Sequence, residues 1–173
     1  MTATFIVEDG TENAAENAYL TEAEADQYHD NYGASAAWTA LAQADKEAAI
    51  REATQWLDAE YGRRWKGART GSTQRLDWPR VDVDDRDGRN VGSAVIPEQL
   101  KDATAFMALE SLSRSLRPAV TSPGSIRRVK KKMGPMEKET EYLASAPDSG
   151  PVYPLVDDLL HNYLIPGTSI LLG

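Results

Sequence analysis

The chain contains no cysteine. That excludes disulfides and thiolate metal sites and gives no reason to place the protein in an oxidising compartment. It has two histidines, His29 and His161, far apart in sequence, and no His-x-x-x-His or Glu-x-x-His spacing. A histidine metal centre therefore lacks its ligand set. No Gly-x-Ser-x-Gly and no phosphate-cradling glycine loop occurs, so nucleophilic and nucleotide chemistry have no carrier. Carboxylates are plentiful, but no pair is marked by an apolar surround that would tune it for acid–base work. No apolar run approaches the roughly 20 residues of a membrane span. The opening MTATFIVEDG lacks the basic and apolar regions of a signal peptide. The expectation is a soluble protein made in the cytoplasm that is not an enzyme and has no cofactor, metal site or membrane contact.

Apolar bulk is also scarce. The composition is 41% hydrophobic, but much of that is alanine and only two residues are phenylalanine. A chain of 173 residues can form one domain with a core, burying roughly 70% of its unfolded surface. Alanine adds little to that core, so stability borrowed from partners is expected. The formal charge is -8, which repels DNA and anionic membranes at long range.

Helical patterning fills most of residues 21–120. YLTEAEADQYHDNYG begins with Thr21 and has Glu24 three residues later, a capping box, with Gly33 as its stop. Trp38 and Leu41 mark a short helix. In ADKEAAIREATQWLDAEYG, Asp45 is the expected cap, Ile50, Ala53, Leu57 and Tyr61 recur at helical spacing beside Trp56, and Gly62 ends the run. From Gly62 to Ile96 periodicity is lost; GARTGSTQ and DVDDRDGRNVG read as loops. The longest helix is IPEQLKDATAFMALESLSRSLRP, with Pro97 in its first turn and Leu100, Ala103, Met107, Leu109, Leu112 and Leu116 apolar, ending at Pro118. LVDDLLHNYL is a short amphipathic helix with Leu155, Leu159, Leu160 and Tyr163 inward.

Against the acidic background stands IRRVKKKMGPMEKETEY, where five basic residues, Arg127, Arg128, Lys130, Lys131 and Lys132, occupy six positions. A hairpin closed at Gly134-Pro135, glycine suiting the first central position of a type II′ turn, sets Lys132 opposite Glu137, Lys130 opposite Glu139 and Arg128 opposite Glu141. Each opposite-charge pair contributes roughly 0.2–1 kcal/mol. On the other face Lys131 meets Lys138. The island is thus read as a charge ladder compensated within the hairpin rather than as a dedicated nucleic-acid patch. An isolated hairpin is marginal, so it should pack on something, such as another subunit.

Two further motifs carry less. DVDDRDG aligned as a calcium loop puts Val83 at the first ligand position and Ala94 at the last, both wrong for an EF-hand, so it reads as an Asp-Gly turn. Trp38, Trp56, Trp65 and Trp78 could stack on bases, but in so small a core they read as anchors.

Taken in order, FIVEDGT, ENAYLTEAEADQY, EAAIREATQWLDAEYGRRWKG, QRLDWPR, DRDG, IPEQLKDATAFMALESL, RRVKKKMGPMEKETEY and YPLVDDLL resemble the head–tail connector (adaptor) proteins of tailed bacteriophages. Similar sequences also carry the label DnaT-like single-stranded-DNA-binding protein. The resemblance covers most of the chain. It implies a mostly α fold: a small helical bundle with one protruding β-hairpin and extended arms. The expected organisation is a single adaptor domain over 1–173, with an N-terminal arm at 1–20, a helical core at 21–120, the hairpin at 124–145, and a C-terminal helix and arm at 146–173. It further implies a dodecameric ring under the portal in the neck of the virion. Its partners would be the portal protein, other copies of itself and the next neck or tail component. DNA would pass through the channel without specific binding. The rival implied by the second label is a replication accessory that binds single-stranded DNA through Arg127, Arg128, Lys131 and the tryptophans. A small hydrolase using a carboxylate pair is a third reading.

The tail LIPGTSILLG runs past the usual end of that family. Leu164, Ile165, Ile170, Leu171 and Leu172 are apolar, and Pro166 and Gly167 break any helix among them. The segment is read as an arm that binds the portal or a neighbouring subunit; packing back onto its own helices is the alternative.

Overall fold

A computed structural model describes residues 4–11, 13–33, 36–116, 129–133, 136–140 and 152–166. It divides into two units, residues 1–116 with 153–173, and residues 117–152. The protein is mostly α-helical, with one small antiparallel hairpin.

Helix α1 spans Glu22–Asn31 and starts as its sequence dictates. The Thr21 hydroxyl accepts the Glu24 N–H at 3.2 Å, and the Glu24 carboxylate accepts the Thr21 N–H at 2.6 Å. After the short α2 (Ala36–Thr39) comes α3, Gln43–Tyr61. Asp45 does not cap α3: the chain turns helical at Gln43 after an extended Ala42, which leaves Asp45 in the first turn, where its charge complements the helix dipole. Ile50, Ala53, Trp56, Leu57 and Tyr61 are buried as the spacing requires.

Helix α4, Glu98–Ser113, follows Pro97, which stands at the cap rather than inside the first turn. It ends five residues before Pro118, at an extended Arg114. α1, α2, α3 and the C-terminal helix α5 (Pro154–Leu160) all pack on it. Packing on several sides calls for a wide apolar stripe, and Lys101, Asp102 and Glu110 stand at its partly exposed margin. Two threonines sit in this interior, Thr54 and Thr104, and each hydroxyl donates to the carbonyl one turn back, Ile50 at 2.9 Å and Leu100 at 2.7 Å. Leu112, part of the apolar surface expected of this helix, is 38% exposed in the last turn of α4. In α5 the inward residues are Val156 and Leu160, joined by Tyr163 in a following 3₁₀ turn, His161–Tyr163. Leu155 instead points to solvent at 45% exposure, since the helix turns it away from that seam.

Ion pairs tie the helix ends. Lys46 reaches both oxygens of Asp26 at 2.9 and 3.0 Å, and the Trp38 indole N–H donates to the same carboxylate at 2.8 Å, joining α1, α2 and α3. Lys101 of α4 meets Glu24 of α1 at 2.7 Å.

Residues 62–96 hold two tiny strands, β1 (Ala68–Arg69) and β2 (Arg80–Val81), paired antiparallel. The second unit contributes β3 (Val129–Met133) and β4 (Met136–Thr140). Among the described residues no helix is long and apolar enough to cross a membrane.

Candidate functional site

The hairpin pairs Val129 with Thr140, Lys130 with Glu139, Lys131 with Lys138, Lys132 with Glu137 and Met133 with Met136. This is the register the charges specify. Arg128 and Glu141, the third rung, lie outside the described residues, as does Arg127.

The C-terminal segment divides. Leu164 is 4% exposed and forms an antiparallel bridge with Trp65. The Lys66 N–H donates to the Tyr163 carbonyl at 2.9 Å, and the Ile165 N–H donates to the Arg64 carbonyl at 2.6 Å. Leu164 is therefore part of the chain's own core and not of an arm, a correction that follows from this backbone pairing. Ile165, one residue on, is 53% exposed. Ile170, Leu171 and Leu172 lie outside the described residues.

All four tryptophans are interior. Trp38 is 1% exposed, Trp56 6%, Trp65 3% and Trp78 0%. Trp56, Trp65 and Trp78 belong to one continuous chain of aromatic contacts. Tyr153 meets Trp56 at 5.2 Å between ring centres, Trp56 meets Tyr61 at 6.1 Å, Tyr61 meets Trp65 at 5.8 Å, Trp65 meets Trp78 at 5.8 Å and Trp78 meets Tyr163 at 5.6 Å. Four of these five contacts are edge-on, the geometry the ring quadrupole favours. Trp38 packs separately on His29 at 4.6 Å, and burial pushes the His29 imidazole below its ordinary pKa. Among the described residues the strongly exposed aromatic is Tyr32, at 72%.

The segment QRLDWPR is held by buried polar groups. The Gln74 side chain donates to the carbonyls of Leu76 and Pro79 at 2.8 and 3.0 Å. Arg80 spreads its guanidinium over the carbonyls of Lys66, Asp77 and Gly67 at 2.7, 3.0 and 2.9 Å. Tyr19, fully buried, donates its hydroxyl to Asp58 and accepts the backbone N–H groups of Asp77 and Trp78 at 3.1 and 3.3 Å. The other Asp58 oxygen accepts the Asp77 N–H at 3.2 Å. Burial pushes the Asp58 carboxyl up to about 7, with the neighbouring Asp77 adding to the effect, and burial also raises Asp77.

Asp58 and Asp77 border an open groove of about 960 Å³, together with Asn17, Arg51, Glu52 and Arg75. Two carboxylates in a groove are what acid–base chemistry would need. Here, however, both Asp58 oxygens are engaged in holding Tyr19 and the QRLDWPR backbone, so the pair reads as a structural clamp. The sequence offered no sign of it, since Tyr19, Asp58 and Asp77 come from three separate segments. The DVDDRDG loop is the Asp-Gly turn it resembles: Gly88 has φ +74°, and Asp85 accepts the N–H groups of Asp87 and Arg89 at 2.8 and 2.9 Å.

Fold and site together define a small, mostly α-helical protein with a charge-patterned hairpin and an aromatic core. Over residues 3–172 the chain matches a family described as "Putative DnaT-like ssDNA binding protein", and it belongs to that family. No curated protein and no solved structure matches it.

Proposed function

We propose that this protein is a non-enzymatic structural component of a tailed bacteriophage, a head–tail adaptor that forms a ring beneath the portal, extends the DNA channel and docks the next neck or tail component. The observation that carries this reading is the burial of all four tryptophans. A protein that grips single-stranded DNA without sequence preference presents aromatic faces for bases to stack on, and here those faces are spent on the core. The acidic balance of -8 points the same way. A wall of like charge lets DNA slide past, whereas phosphate neutralisation makes it adhere. The Lys–Glu register of the hairpin supports compensation of the basic island within the protein.

The second reading, a single-stranded-DNA-binding accessory, is favoured by the description of the family to which the chain belongs. Fluorescence anisotropy with a labelled single-stranded oligonucleotide separates the two. The adaptor reading expects no binding at micromolar protein and physiological salt. Submicromolar binding that weakens steeply with salt supports the accessory instead. Electron microscopy of purified particles is the positive test: ring density at the neck supports the adaptor, and absence of the protein from particles refutes it.

A further inference from the structure

Helix α2 enters the core through one side chain. Of its four residues Trp38 is buried and the other three are exposed. The Trp38 indole N–H donates to Asp26 at 2.8 Å, and the Lys46 ammonium stands 5.8 Å from the centre of its ring. Against Trp38 lies His29 of α1, 4.6 Å away between ring centres; the same imidazole meets Tyr28 edge-on at 5.3 Å. His29 is 3% exposed, and among the described residues its Nε2 has no hydrogen-bond partner.

A neutral imidazole can leave one nitrogen as an unused acceptor. An imidazolium donates from both nitrogens and needs a partner for each. Water can serve Nε2 only if the packing around the ring opens. The cover that yields is α2, since four residues are too few to persist as a helix on their own. The neighbouring charges give little help. Asp26 already carries Lys46 and Trp38, and Lys46 sets a second positive charge beside the ring, itself flanked by Glu22 at 3.7 Å. Asp30 on α1 and the Ala105 carbonyl on α4 favour the cation, but burial outweighs them and holds the imidazole below its ordinary 6.5.

We propose that His29 is a pH-sensitive latch under α2, whose protonation expels Trp38 from the core and releases α2 from the body of the unit. The open form takes up its proton near the ordinary 6.5, the closed form only at lower pH. As pH falls below 6.5, the ratio of open to closed form therefore rises about ten-fold per pH unit, until the closed form's own value is reached. The groups around the ring hold their charge over this range. Against the opposing effect of burial, bonds from Lys46 and Trp38 keep Asp26 below its ordinary 3.8. The bond to Asp26 keeps Lys46 above 10.5. Burial, and after it Asp102 on α4, raises the Tyr28 hydroxyl above 10.0. The latch is independent of the proposed assembly role.

The test is hydrogen exchange at the indole N–H groups of the full chain, followed by NMR from about pH 7.5 to about pH 5 and corrected for the intrinsic pH dependence of exchange. Trp38 should lose protection about ten-fold per pH unit below 6.5, while Trp78, fully buried elsewhere in the core, keeps its own. His29→Phe retains an aromatic ring but takes up no proton, so it should abolish the dependence. If that variant fails to fold, the parent's His29 ring signal decides, told from that of the exposed His161 by His161→Gln: it should titrate in step with the opening at Trp38. Trp38 protection that stays constant over the range would overturn the proposal. So would parallel loss at Trp38 and Trp78, which marks global unfolding, a dependence retained in His29→Phe, or a His29 ring that titrates while Trp38 stays protected.

Discussion

Asp58→Asn probes the buried clamp through its pH dependence. In the native protein the Asp58 carboxyl stands at about 7 against an ordinary 3.8, chiefly because burial penalises its charge. The unfolded chain releases this proton near 3.8, while the folded chain holds it to about 7. Between those values the native state binds more protons than the unfolded state, so stability falls as pH rises. Across about three pH units, at 1.36 kcal/mol for each, the loss is about 4 kcal/mol.

Asparagine removes that titration but brings a cost of its own. Asp58 accepts from the Tyr19 hydroxyl and from the Asp77 N–H through different oxygens, and an amide has only one. That mismatch costs about 1–3 kcal/mol at every pH. At about pH 4 the variant should therefore be less stable than the parent. By about pH 8 the order should reverse, the difference having moved by about 4 kcal/mol in its favour. Urea denaturation of both proteins across this range measures it, with equal slopes required for the comparison. Groups remote from Asp58 are common to both chains and cancel; Asp77 and Arg80, which interact with its charge, change with it. A stability difference that is the same at about pH 4 and about pH 8 would show that Asp58 is ionised in the native core and would refute the reasoning.

Three further outcomes follow from the same structure. Tyr19→Phe leaves the buried Trp78 N–H without its acceptor and Asp58 without its donor. It should cost about 2–3 kcal/mol in urea denaturation. Gly67→Ala forces a Cβ to 1.9 Å from the Val81 carbonyl at φ +63° and should cost at least about 3 kcal/mol. Gly33→Ala, at φ +94° with nothing within 4 Å, should cost only about 1–2 kcal/mol by thermal melting. Leu164→Ala, in the core, should cost about 2–4 kcal/mol, whereas Ile165→Ala, exposed, should stay within about 0.5 kcal/mol; equal effects would return Leu164 to the arm.

By itself the sequence determined whatever depends on near neighbours in the chain. Thr21 and Glu24 are three residues apart, so the start of α1 is a local bargain between two side chains and two amides. Ile50, Ala53, Leu57 and Tyr61 recur with the helical period, so the buried face of α3 follows from spacing alone. The hairpin register follows from the order of Lys and Glu about Gly134-Pro135, because a slip by one residue would break every opposite-charge pair. Only the tertiary structure decided what the pattern-free stretch from Gly62 to Ile96 does. Trp65, Leu76, Trp78 and Val83 are buried there without any period. Their backbone is not paired as helix or long strand but fastened by Gln74, Arg80, Tyr19 and Asp58, contacts whose partners can lie as far apart as Tyr19 and Trp78. The same holds for Leu164, which joins the core by pairing with Trp65 across more than half of the chain, and for Glu8 and Glu16, brought together when the N-terminal loop closes. No local rule encodes these contacts. They exist because burying apolar rings strands polar backbone groups, and distant side chains must reach in to satisfy them.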